Sequence, residues 1–142
     1  MTHEFLHPRA WKPALGYSNG VAASGRMVFC GGLIGWNADQ VFETDDFVGQ
    51  VAQTLRNIVA VLDCAGARPE HLVRLTWYVT DKAEYLGSLR DLGRVYREIL
   101  GRNYPAMALV QVVALVEDRA KVEIEATAVV PLADEMVDRG LT

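Results

Sequence analysis

Asn103-Tyr104-Pro105-Ala106-Met107-Ala108-Leu109-Val110, taken with Lys121-Val122-Glu123-Ile124-Glu125-Ala126, decides how the chain is assembled. Pro105 bars a helix and biases its neighbour toward extended backbone, so the first stretch opens a strand expected to run from Ala106 to Leu115. The second stretch alternates. Lys121, Glu123, Glu125 and Thr127 share one face, and Val122, Ile124, Ala126, Ala128 and Val130 the other, which is the two-residue period of a half-buried strand. The polar Glu117-Asp118-Arg119-Ala120 between them reads as a turn, making the pair a hairpin. Two carboxylates on one strand face have no packing purpose visible in the sequence.

Upstream, Asp81-Lys82-Ala83-Glu84 has the form of a capping box, an N-cap acceptor followed three residues later by glutamate. The helix it opens buries Tyr85, Leu86, Leu89, Leu92, Tyr96, Ile99 and Leu100, and Gly101 ends it. Gly87 and Gly93 interrupt it at about 1 kcal/mol each relative to alanine, and Gly93 leaves room for a close approach. Before this helix, His71 to Thr80 alternates as a strand with both faces partly covered, and His71 is an ordinary strand-end residue. Earlier still, Thr44-Asp45-Asp46 starts a helix whose apolar stripe is Phe47, Val48, Val51, Leu55, Ile58, Val59 and Leu62. Gln50, Gln53, Arg56, Asn57 and Asp63 take its opposite side, and Gly66 closes it. Met27-Val28-Phe29-Cys30 is a buried strand, paired through the Ser24-Gly25-Arg26 turn to extended chain beginning at Leu15. Gly31, Gly32 and Gly35 follow without the lysine and hydroxyl residue of a phosphate loop. Residues 1 to 13 read as an irregular arm, and the tail beyond Pro131 is too polar to require order.

The resulting order is strand, strand, helix, strand, helix, strand, strand. It predicts an α+β, two-layer mixed sheet with both helices on one face. Leu72, Met107, Leu109, Val113 and Leu115 then place apolar surface on the uncovered side, which predicts a homo-oligomer packed through that face.

Composition narrows the classes. A net charge of −4 over 142 residues, with acids and arginines interspersed, argues against a nucleic-acid partner. Cys30 and Cys64 lie in apolar segments and read as buried small hydrophobes, with no disulfide or metal spacing. No apolar run approaches the ~18 residues of a membrane span, and the first residues lack the apolar core of a signal peptide. A cytoplasmic protein of one domain, with no cofactor, metal or membrane partner, is the expectation.

Seven stretches in order resemble the Rid family (YjgF/YER057c/UK114), from about Pro13 to Pro131. They are Ala14 to Val21, Cys30-Gly31-Gly32-Leu33-Ile34, Thr54 to Ile58 with Val61-Leu62, Leu72 to Thr76, Val95-Tyr96, Tyr104-Pro105-Ala106 and Val122 to Ala126. The resemblance implies one Rid-like domain of chorismate-mutase-like fold, of the bacterial trimeric type. It also implies clefts between subunits that hydrolyse 2-imino or 2-enamino acids to 2-oxo acids and ammonia. Such chemistry asks for positioning of substrate and water more than for acid–base power.

By position, the resemblance makes Tyr17 and Gly32 pocket-shaping residues and Glu123 the water-holding carboxylate. The arginine that clamps the substrate carboxylate in this family is Met107 here, and Gly93 stands near a customary asparagine. Methionine offers none of the charge-assisted bidentate bonding of arginine, worth about 1.5–3 kcal/mol. The pocket should therefore be more apolar, with Trp36 adding to it, and activity on 2-iminopropanoate weak or absent. Arg74, Arg94 and Arg102 are candidate replacement cations. The expected function is an enamine or imine deaminase for a larger or less acidic substrate, such as 2-aminomuconate. The alternatives are a non-catalytic ligand-binding homotrimer and, disfavoured by charge, a ribonuclease.

Overall fold

The computed structural model describes residues 2–132. The elements are β1 (Glu4–Leu6), β2 (Gly20–Ala22), β3 (Arg26–Ile34), α1 (Phe47–Cys64), β4 (Leu72–Val79), α2 (Lys82–Leu86), α3 (Leu89–Leu100), β5 (Ala106–Gln111) and β6 (Val122–Val130). A four-stranded mixed sheet runs β3-β6-β4-β5, and β1 and β2 form a separate antiparallel pair. The C-terminal tail expectation falls outside the described residues, apart from Pro131 and Leu132.

The architecture follows from β6. Its residues Val122, Ile124, Ala126, Ala128 and Val130 are buried against the helices, as their alternation requires. β6 pairs antiparallel with both β3 and β4, so it is interior to the sheet. The expected hairpin is therefore not formed. β5 lies parallel to β4, at the far side of it from β6. Ten residues of loop, 112–121, carry β5's end back to the central position, and only the Glu117–Ala120 turn within that loop survives, closed by the Ala120 N–H on the Glu117 carbonyl at 3.0 Å. At the other terminus, β2 pairs with β1 instead of β3, so part of the expected irregular arm is a strand.

α1 matches its sequence pattern, with Asp46 capping Gly49 N at 2.8 Å and Gly66 taking φ 68° just past its end. Gln50 departs from that pattern. It is fully buried, donating to the Thr44 and Arg119 carbonyls (3.2 and 3.0 Å) and accepting from Lys121 N (2.8 Å). This side chain ties the chain entering β6 to the first turn of α1.

The second helix divides into α2 and α3 at Gly87-Ser88, giving, with α1, three α-helices between Phe47 and Leu100 where two were expected. Asp81 caps α2 by accepting from Glu84 N at 3.1 Å. The division turns Leu86 and Leu89, expected in the core, outward to 54% and 51% exposure. His71 closes a short 3-10 turn, Pro69–His71, buried with its Nδ1 accepting from Arg68 N at 2.9 Å. Cys30 is buried and Cys64 exposed, so the burial expectation held for one thiol of the two.

Three residues change sheet face relative to expectation. Met107 and Leu109 are in register with Leu75 and Trp77, and both pack on the helix-covered core. Leu72 is also buried there, because the β4–β6 register shifts between Leu72 and Arg74. The uncovered face is apolar for other reasons. Met27 and Phe29 on β3 are exposed on it, as is Val110 beside Tyr78 on the β4–β5 edge.

Candidate active site

The five residues expected at one site fall into two groups on opposite faces of the sheet. Tyr17, Gly93 and Met107 line a cavity of about 420 Å³ on the helix side. Gly32 and Glu123 meet on the uncovered face, where Glu123 alternates with the buried Val122 and Ile124.

The cavity is built from three segments. Met107 and Leu109 of β5 form one wall, with Tyr104 just before the strand. Tyr85 of α2 and Leu89, Leu92, Gly93, Tyr96 and Arg97 of α3 form another, over Trp77 of β4. Leu15, Gly16 and Tyr17 close the third side. This last segment is fixed by its neighbour. Ser18 N donates to the Pro105 carbonyl at 3.0 Å, and Ser18 Oγ donates to the Tyr104 carbonyl at 2.5 Å. Gly16, at φ 77°, supplies the left-handed turn that brings Tyr17 to the mouth.

The lining is aromatic and nearly uncharged. Tyr96 and Tyr104 stack with centroids 5.3 Å apart, and the Tyr96 hydroxyl donates to the Asn103 carbonyl at 2.5 Å. Burial, and secondarily Tyr104, pushes the Tyr96 phenol far above its ordinary range; burial also raises Tyr85. Trp77 is buried, and its indole N–H has no acceptor among the described residues. Arg97 is the one charged side chain of the lining.

Of the arginines considered as replacement cations, none lines this cavity. Arg94 pairs with Asp91 and Glu98 on the outer side of α3, and Arg74 borders a different depression with Val73 and Thr127. Arg102 is absent from the lining, as is Trp36, which packs on Phe42 instead. The sequence reading missed Arg97. The signal was present, since Arg97 follows Gly93 by four residues and so shares its helix face.

The second group rests on a bulge. β3 pairs with β6 through Cys30 and again from Leu33, leaving Gly31 and Gly32 out of register. The Glu123 carboxylate lies directly over Gly32: a Cβ there would stand 2.6 Å from Glu123 Oε2. Glu123 is not spent on Lys121, whose ammonium pairs with Glu84 at 3.5 Å. Nearby, the Tyr78 hydroxyl donates to Glu125 Oε1 at 2.8 Å. That bond, then desolvation and the charges of Glu125 and Glu123, raises the Tyr78 pKa. Among the described residues, no group of three or more histidines, cysteines or acids is arranged to hold a metal. No described helix is long and apolar enough to cross a membrane.

The chain matches the sequence profile described as Endoribonuclease L-PSP over residues 8–130. It is 35% identical to protein DfrA of Myxococcus xanthus over 132 residues, covering 91% of this chain and 97% of that one. The chain belongs to the L-PSP, or Rid, family. A RutC family protein of Aquifex aeolicus is 33% identical over 95 residues, 67% of this chain and 72% of its own length. Among solved structures, the Rid-family protein YyfB of Yersinia pestis superposes with a TM-score of 0.82 at 30% identity, covering 92% of this chain and all of that one. Rv2704 of Mycobacterium tuberculosis, described as a YjgF/YER057c/UK114 family member, gives 0.60 at 34%, covering 82% and 88%. TdcF of E. coli with bound serine gives 0.63 at 28%, covering 89% and 98%. The α+β, chorismate-mutase-like fold of these Rid proteins is thus the fold of this chain.

Proposed function

We propose that this Rid protein is an enamine or imine deaminase whose site forms between copies of the chain, packed as a homotrimer. The single observation that carries the reading is the Glu123 carboxylate seated over Gly32, free of lysine and facing away from the core. There it can orient a water without being neutralised by a salt bridge. The water oxygen adds to the imine carbon while the C=N electron pair moves to nitrogen and takes up a proton. The carbinolamine then collapses: the nitrogen takes the proton held by Glu123, the C–N bond breaks, the hydroxyl loses its proton to water as the carbonyl forms, and ammonia leaves. An enamine first gains a proton on carbon to reach the same imine. Glu123 holds the water and receives its proton during addition, a role within the reach of a positioned carboxylate.

The division of the residues between sheet faces supports a composite site. A substrate seated in the Tyr17–Met107 cavity of one copy meets the Glu123 of another when the uncovered face of one copy packs head to tail against the cavity mouth of the next. The exposed Met27, Phe29 and Val110 supply apolar area for that packing. With Met107 in place of a cation, small 2-imino acids are poor substrates, and larger planar enamines of the 2-aminomuconate kind are preferred.

Ammonia release from freshly generated imines and from 2-aminomuconate tests this. Activity on the larger compounds that Glu123→Gln abolishes is expected; silence across the panel overturns the reading. A non-catalytic ligand-binding trimer is the second reading. It is favoured by Met107 itself and by the serine held in TdcF of E. coli. Ribonuclease action, which the family's description names, is disfavoured by the net charge of −4 and by the paired Glu123 and Glu125 on the uncovered face.

A further inference from the structure

We infer that Arg97, on α3, is the anion-binding residue of the cavity, and that the cavity takes a carboxylate carried on an aromatic or similarly planar apolar body. The inference rests on the proposed function only in taking the cavity as the substrate-binding half of the site.

Three observations converge. First, Arg97 is the one charged group of a cavity otherwise walled by aromatic and aliphatic side chains, and no carboxylate of the described residues pairs with it. Arg94, by contrast, is engaged with both Asp91 and Glu98. An unspent guanidinium beside apolar walls favours an anion with an apolar body, because the fork geometry matches a carboxylate bidentately.

Second, Gly93 makes the approach of that guanidinium possible. A Cβ at position 93 would stand 3.1 Å from Arg97 Nη1, so the side chain lies back across the α3 surface over the glycine. A mid-helix glycine is unfavourable by itself, and the room it leaves is used by the cation.

Third, size and lining exclude a very small acid as the best ligand. About 420 Å³ falls within the range that holds ring-sized and larger molecules. The stacked Tyr96–Tyr104 pair, Trp77 and the polarizable Met107 sulfur offer flat apolar contact to a planar body. The anion site thus lies on the helix, and Met107 on the facing strand is part of the apolar wall.

Titration calorimetry with unreactive probes tests the assignment apart from catalysis. Cinnamate should bind saturably, with cinnamamide and pyruvate each at least about tenfold weaker, the loss expected for one charge-assisted contact or for the apolar body. Arg97→Gln should reduce cinnamate to the level of cinnamamide and leave cinnamamide unchanged. Arg97→Lys should recover part of the difference, and Arg94→Gln should change nothing. Thermal melting checks that each surface variant is folded. Cinnamate binding unaltered in Arg97→Gln, or pyruvate binding as tightly as cinnamate, overturns the inference. If cinnamate binds through Arg97 but no imine releases ammonia, the deaminase reading fails and the Arg97 assignment stands. If imine hydrolysis is equally fast and equally selective with glutamine at 97, the reverse holds.

Discussion

Gly93 and Gly32 both make room for a charged side chain, and alanine at each should separate stability from function. At Gly93 the added methyl meets only the mobile end of Arg97, so the guanidinium shifts by a few tenths of an ångström and the helix keeps its geometry. Gly93→Ala should therefore stabilise the fold by about 1 kcal/mol, seen as a higher denaturation midpoint, while weakening cinnamate binding. A destabilised variant would mean that the α3 surface at Gly93 cannot accommodate the methyl. At Gly32 the methyl would collide with the Glu123 carboxylate at 2.6 Å, so Gly32→Ala should displace it and abolish ammonia release with little change in melting temperature. Tyr96 gives a pH test at the same scale. Its phenol is held neutral in the folded chain by burial, so the unfolded chain ionises first, near pH 10. Above that pH the unfolded state binds fewer protons, and stability falls as pH rises. Tyr96→Phe should lose about 1 kcal/mol at neutral pH, from the bond to the Asn103 carbonyl, yet show a flatter decline above pH 10 in denaturant titrations.

Elements were legible in the sequence where their signal is local. The Phe47–Leu62 stripe and the Val122–Val130 alternation each bury one face by simple periodicity, and α1 and β6 form where that periodicity places them. Strand partners are not local. Nothing between Leu115 and Lys121 tells whether the chain turns back on β5 or passes it to insert between β3 and β4, because both choices bury the same Val122 and Ile124 face. That one decision determines which side of the sheet Met107 occupies, so the candidate site was legible as a set of residues but not as a geometry. Gln50 shows the same limit for a polar residue. Helical periodicity counts it as outward, and only the arrival of Arg119 and Lys121 gives its amide the partners that allow burial. Gln50→Leu keeps the volume and strands those backbone groups. It should cost about 2–4 kcal/mol by chemical denaturation, whereas Gln53→Leu, half-buried on α1 and bonded among the described residues to Asn57 alone, should cost far less.

At the scale of the whole molecule, the sheet separates the two chemical groups, and no rearrangement within one chain can join them. Glu123 and Gly32 stand on the face bearing Met27, Phe29 and Val110, while Tyr17, Met107 and Arg97 line the cavity on the helix side. Under the proposed deaminase reading, assembly through the uncovered face is therefore required for catalysis and not only for stability. Phe29, 68% exposed beside Thr127, is the point at which to break it. Phe29→Asp puts a charge where an apolar contact between copies is expected, and it leaves the helix-side core untouched. Light scattering should show the parent as a trimer and Phe29→Asp as a monomer with an unchanged far-ultraviolet dichroism spectrum. The monomer should keep its cinnamate binding, since every lining residue of that cavity belongs to one chain, and should lose ammonia release, since Glu123 no longer faces a neighbour's cavity. A monomer that still hydrolyses imines at the parent's rate would break the link between assembly and catalysis. A parent that is already monomeric at micromolar concentration would remove the composite site altogether.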